Sequence, residues 1–399
     1  MLSRDYAAEI CALGVAAGLD RVGVASAAPF RDTRDVLETR KAAGLAASME
    51  FTYRNPTRST EPDRVLRGAA ALVVGARRYD REVPAPPEAM RVPGRVARYV
   101  AGDHYGELRR GLDVIAERLR ADGWSARVVL DDNALVDRAA AHRAAIGWFG
   151  KNANILVPGI GSWVVLGSVV TTAPLPPAAE PVADGCGPCR RCLDGCPTGA
   201  IVEPGVVDAR RCLAWLVQAK GVFPAEHRVA LGDRLYGCDD CQEVCPPSRR
   251  VEVSLAAHPV TETLGREVAR PVAPGPEVTS VPHAGAWADV LALLAADDDG
   301  LLDHFGRWYI PGREPRYLRR NALVVLGNTA PPADPEVRAA VTRALGSDDG
   351  LVAAHAVWAA RRLGADDLVA TALADHSLDG SDPVVRAELD RTVAARSEL

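Results

Sequence analysis

The chain has 399 residues, 48% hydrophobic and 25% charged, with 47 Lys and Arg against 52 Asp and Glu for a net charge of −5. That is an ordinary globular composition, with chain enough for two or three domains, and the acidic balance leaves any nucleic-acid contact to a local basic patch. No stretch approaches the ~18 apolar residues of a membrane span, and the N-terminus carries early charge without a twin-arginine run, so a cytoplasmic protein is expected.

In chain order, Ile10, Leu13 and Val15 mark an N-terminal helix in which Cys11 reads as an inert core residue. Segments 69–75, 125–130 and 162–170 are short β-branched runs bounded by Gly, Arg or Asp, as strands are. Between the first two, Asp103 is a candidate N-cap, followed by Leu108, Leu112, Ile115 and Leu119 at helical spacing and closed by Gly123. Residues 1–175 therefore read as a mixed α/β domain, ending at the proline-rich stretch 173–181. Its last part gathers Asp131-Asp132-Asn133, Arg138, His142 and then 147–152 (GWFGKN). There glycines allow close backbone approach to a bulky ligand, while Lys151 and Asn152 offer donors; a plain turn is the competing reading.

Two cysteine runs follow within 176–250: Cys186, Cys189, Cys192 and Cys196, then Cys238, Cys241 and Cys245, with Cys212 between them. Eight thiolates are the ligand count of two [4Fe–4S] clusters, and in a two-cluster ferredoxin the fourth cysteine of each run reaches across to the other cube. On that logic Cys186, Cys189, Cys192 and Cys245 hold one cluster, and Cys196, Cys212, Cys238 and Cys241 the other. Zinc closes with four ligands and does not favour such a run; disulfides are disfavoured in a chain that nothing marks as secreted.

Prolines at 259, 271, 274, 276 and 282 make 251–283 an irregular linker. From 284 to 399 strand signals vanish, and three segments echo one another at Asp334-Pro, Asp349-Gly and Asp382-Pro. Each offers an Asp cap, two of them a Pro at the first helical position, then an inward Val, which is the pattern of HEAT-like helical hairpins. Two clusters beside an α/β domain suggest electrons delivered to a site there; the plainer alternative is a non-enzymatic electron-transfer or scaffold protein.

The ordered motifs VVLD (128–131), DRA (137–139), IGWFGKN (146–152), GSW (161–163), DGCGPC (184–189), CPTGA (196–200), QAKG (218–221), LYGCDDCQ (235–242), FGR (305–307) and RNA (320–322) resemble the epoxyqueuosine reductase family. The resemblance implies a nitroreductase-like α/β domain binding cobalamin, a dicluster ferredoxin-like domain and C-terminal HEAT-like repeats. It implies reduction of epoxyqueuosine to queuosine at the wobble position of tRNA, with the anticodon stem-loop as partner and an external flavodoxin or ferredoxin as electron donor. It makes Asp131 the proton donor, Arg58, Asp131, Lys151 and Asn154 cobalamin contacts, and Lys220 a tRNA contact. Arg313, Arg316, Arg319 and Arg320 form the densest basic cluster, and Arg316, Arg319 and Arg320 are expected on phosphates. The chain departs from the family at Gly102-Asp103-His104-Tyr105, where the ring order is exchanged, at Arg58, and at 308–312. A cobalamin-dependent reductive dehalogenase, sharing the core and clusters, is the other enzymatic reading.

Overall fold

The computed structural model describes residues 2–79, 83–178, 180–249 and 285–393, so the expected linker 251–283 lies outside the described residues. These residues gather into two compact units, neither of which is a single span of chain. One holds the described residues of Met1–Glu82, Arg98–Cys212 and Asp239–Ala257; the other holds those of Val83–Ala97, Leu213–Cys238 and His258–Leu399.

The first unit is built on an antiparallel four-stranded sheet in the order Arg21–Ser26, Ala71–Arg78, Val164–Thr171, Ala126–Leu130. The three predicted strands are its members within a few residues. The fourth, Arg21–Ser26, carries too weak an alternation to announce itself. Side chains alternate across the sheet, so Val73 and Val169 meet one core and Leu72 and Val74 the other.

On the first face lie helices Arg4–Ala16 and His104–Ala121, burying Ile10, Leu108, Leu112, Ile115 and Leu119. Asp103 caps the longer helix as expected, accepting from the Gly106 N–H at 3.1 Å. Gly75 and Gly167 face each other across the central strands, and a Cβ on either would fall within 3.0 Å of the Leu112 side chain; this is how the helix comes so close. At the N-terminal helix Val15 is 50% exposed, while Cys11 is half-buried against this core, and burial pushes its thiol pKa up. The second face is covered by helix Asp137–Arg143 together with Phe30, Leu37, Ile155 and Val157.

The second unit pairs strand Pro93–Val96 parallel to Arg234–Tyr236 and antiparallel to Trp287–Asp289. Of its helices Arg316–Thr329, Pro335–Leu345, Gly350–Arg362, Asp366–Ala374 and Pro383–Leu389, the alanine-rich Gly350–Arg362 packs against all four others and is almost wholly buried. All three predicted Asp caps form: Asp334 accepts from Glu336 N at 2.8 Å, Asp349 from Leu351 N at 2.9 Å and Asp382 from Val384 N at 2.7 Å. Inside this unit Arg228 pairs with Glu388 at 2.8 Å, both fully withdrawn from water.

Candidate active site and cluster loops

Asp131 sits where strand Ala126–Leu130 breaks into a turn, at φ 48°. This left-handed backbone is costly for most residues and more tolerable for Asp or Asn, and it swings the side chain away from the strand direction. The turn is stitched from both sides. Asp132 Oδ1 accepts from Ala134 N at 2.8 Å, and the Ser59 hydroxyl donates to the Asn133 carbonyl at 2.7 Å. Ser59 belongs to the short helix Pro56–Thr60, capped by Asn55, whose Oδ1 accepts from Arg58 N at 3.0 Å. The expected Arg58 is thereby carried beside the Asp131 turn, and a cavity of about 400 Å³ is lined by Phe51, Arg54, Asn55, Arg58 and Asn133. That volume and the guanidinium and amide donors suit a polar small-molecule ligand.

Asp131 is exposed, yet the surrounding protein thins its solvation, and this, then the Asp132 carboxylate, raises its pKa. Two neighbours, named in the sequence only as members of motifs, were given no role there. Asp137 has an Oδ1 buried without a hydrogen-bond partner among the described residues, and burial, then the charge of Asp131, pushes its pKa well up. Tyr105 is raised well above the usual phenol range by burial, then by Asp131 and Asp137. The exchanged ring order at 104–105 thus places a phenol by the acid, while His104 is buried against Tyr79, ring centroids 5.7 Å apart.

Among the described residues no cysteine is paired in a disulfide. Cys245 packs with Cys186, Trp148 and Leu156. Burial, then the neighbouring Cys245, Cys186 and Cys189 thiols, push the Cys192 thiol up to about 11. The four sulfurs assigned to the first cluster therefore stand together, a soft all-thiol donor set suited to iron–sulfur. Among the described residues no three His, Cys, Asp or Glu are placed to hold a single metal ion. Of the second set, Cys196 Sγ accepts from Ala200 N at 3.2 Å, the Cys241 carbonyl accepts from Asn152 at 3.4 Å, and Cys212 is half-buried. Cys238, also half-buried, ends a segment of the other unit. The GSW motif acts at the first set: Gly161, at φ 73°, presses so closely on Ser248 that a Cβ would lie 2.6 Å from its Cα, and Ser162 N donates to Ser248 Oγ at 3.1 Å.

The Lys151 ammonium donates to the carbonyls of Gly187 at 2.6 Å and Cys189 at 2.9 Å, so it clasps the first cysteine loop. Asn154 closes the same turn, its carbonyl accepting from Gly150 N at 2.8 Å.

A family model described as a 4Fe-4S double cluster binding domain matches residues 185–248, and one described as HEAT repeats matches 310–392. The epoxyqueuosine reductase of Bacillus anthracis is 31% identical over 325 residues, covering 80% of either chain, and that of Shewanella oneidensis is 32% identical over 386 residues, covering 92% of this chain and 91% of the relative. The chain belongs to the epoxyqueuosine reductase family. The crystal structure of an epoxyqueuosine reductase with a modified tRNA-Tyr stem loop superposes with a TM-score of 0.80 at 27% identity, over 97% of this chain and 98% of that one. A Bacillus subtilis epoxyqueuosine reductase, TM-score 0.78 at 27% identity over 96% and 97% of the two chains, has been seen with its aspartate-bearing catalytic loop swung out of the active site.

For a member of this family the basic cluster 313–320 reads differently in three dimensions than in sequence. Arg320 is 0% exposed and donates to the carbonyls of Leu216, Val217, Ala219 and Gly221 at 2.6 to 3.2 Å and to Asn321 Oδ1. Burial lowers its pKa to about 9. It is an internal clamp, which corrects its expected place on a phosphate. Arg319 is held by Asp298 and the Ala296 carbonyl, and Arg316, still partly exposed, by Asp349. The loop that Arg320 grips is the one that displays exposed Lys220.

Proposed function

We propose that the protein reduces epoxyqueuosine to queuosine at the wobble position of tRNA, taking electrons through two [4Fe–4S] clusters to cobalamin. The observation that carries the reading is Asp131: an aspartic acid with a raised pKa, on a left-handed turn tied to the Arg58 helix beside a polar cavity. Cobalamin, when bound, would supply low-potential electrons at cobalt. The chain's residues do the rest. The oxygen leaving the epoxide takes one proton from Asp131, and with two electrons and a second proton in all it departs as water, leaving the alkene. A departing oxygen needs a positioned acid whose pKa lies nearer the working pH than that of a solvated carboxylate, and thin solvation beside Asp132 supports this. Arg58, and more weakly Asn154, are candidates to hold polar edges of the cofactor, and Lys220 to meet the RNA.

The reading keeps the division into 1–175, 176–250, 251–283 and 284–399, and an external flavodoxin or ferredoxin as donor. Among the described residues no helix is long and apolar enough to cross a membrane, and a tRNA substrate places the work in the cytoplasm. The test is anaerobic reconstitution with iron, sulfide and cobalamin, then mass spectrometry of an epoxyqueuosine-containing stem-loop beside Asp131→Asn. Loss of the epoxide oxygen with wild type alone supports both reaction and acid. Untouched RNA with cobalamin bound would move the substrate elsewhere, an organohalide being the next to try.

A further inference from the structure

We propose that Lys151 sets the reduction potential of the first cluster, its ammonium favouring the reduced state of the cube held by Cys186, Cys189, Cys192 and Cys245. The proposal rests on the cluster assignment and is independent of the RNA substrate. Lys151 Nζ lies 2.6 Å from the Gly187 carbonyl and 2.9 Å from that of Cys189, inside the loop that wraps this cube. Its position is not a surface accident. The Lys151 carbonyl accepts from Gly205 N at 2.9 Å, and the next residue, Asn152, is buried, with its amide on the Cys241 carbonyl and its Oδ1 accepting from Asn154 N at 3.2 Å. One dipeptide thus touches a loop from each cysteine run.

A [4Fe–4S] cube with four thiolates is anionic and gains a further negative charge on reduction, so a fixed cation beside its loop stabilises the reduced state more than the oxidised one. The other cations of this loop, Arg190 and Arg191, are exposed, and solvent screens them. Lys151 is partly withdrawn from water and pinned by two carbonyls, which makes it the cation with the largest expected effect. A neutral strap with the same hydrogen bonds would hold the loop equally well, and the two roles separate on potential.

The measurement is an EPR-monitored redox titration of the full chain, anaerobically reconstituted, for Lys151→Gln and Lys151→Arg. Gln keeps a donor for a carbonyl without the charge; Arg keeps both. With iron content unchanged, the Gln variant should show a roughly tenfold higher oxidised-to-reduced ratio for the first cluster at a fixed potential, about 59 mV for a one-electron couple. Its second cluster should move less, and the Arg variant should stay within about threefold of wild type, under half that shift. A Gln variant with full iron and the wild-type midpoint would overturn the proposal. So would loss of iron from the Gln variant where Arg retains it, because the residue would then be a strap.

Discussion

Replacing Arg320 separates an internal clamp from an RNA contact. In Arg320→Met six hydrogen bonds to five acceptors disappear, but not every acceptor is orphaned. The Leu216 carbonyl keeps Ala219 N at 3.3 Å, and that of Val217 keeps Asn321 Nδ2 at 2.9 Å. Gly221 is exposed enough for water to replace the guanidinium, leaving the half-buried Ala219 carbonyl and the Asn321 amide oxygen short of a donor. At about 1–3 kcal/mol for each unsatisfied buried group, less the gain from no longer burying a charge, the loss should be about 3 kcal/mol. For a unit of this size that is a fall in Tm of about 10 °C. Arg320→Lys should cost at least as much, since it keeps the buried charge but loses the planar fork that reaches several carbonyls at once. Thermal unfolding of both variants followed by far-UV circular dichroism is the assay. If both melted with wild type while stem-loop affinity fell tenfold in Met and was spared in Lys, Arg320 would be a phosphate contact and the clamp would be refuted.

Asp137→Asn should stabilise the protein near neutrality. A carboxyl with a raised folded pKa makes the native state bind more protons than the unfolded chain, so wild-type stability falls as pH rises above about 4, and the Asn variant should lack that part of the slope in melts between pH 4 and 7. Turnover that needs protonated Asp131 should likewise fall as pH rises through its raised pKa, seen in the pH profile of stem-loop reduction. Gly161→Ala drives a methyl into Ser248 at an unfavourable φ and should shed iron from the first cluster, read by iron analysis and EPR, with the second cluster retained. Asp382→Ala removes a helix cap that binds Val384 N and Val385 N and should cost about 1 kcal/mol, a shift of about 2–4 °C in Tm.

What sequence displayed well was local. Cysteine spacing announces a ligand set because each loop wraps its own cube, and the Asp caps are visible because cap, proline and inward valine lie within four residues. Asp131 stood out through its flanking motif. Charge without an address misled. Four arginines in eight residues look like a patch, yet helix Arg316–Thr329 buries Arg320 and two of the others find carboxylates far along the chain. Lys151 was legible as a donor, but nothing local says that its acceptors are carbonyls 36 and 38 residues away. Asp137 and Tyr105 became part of the site only once the fold brought a helix start and a strand end together.

The pairing of strand Pro93–Val96 has a consequence for biosynthesis. Arg95 stands opposite Trp287 in its sheet, and its other neighbour is Arg234. On a ribosome adding about 5–20 residues each second, roughly 10–40 s pass between emergence of the first strand and of its antiparallel partner. During that interval the strand presents unpaired backbone, the kind of edge that invites pairing with another chain. Both cysteine runs emerge before the partner strand does, so iron–sulfur delivery and edge protection are demands that the nascent chain meets at the same time.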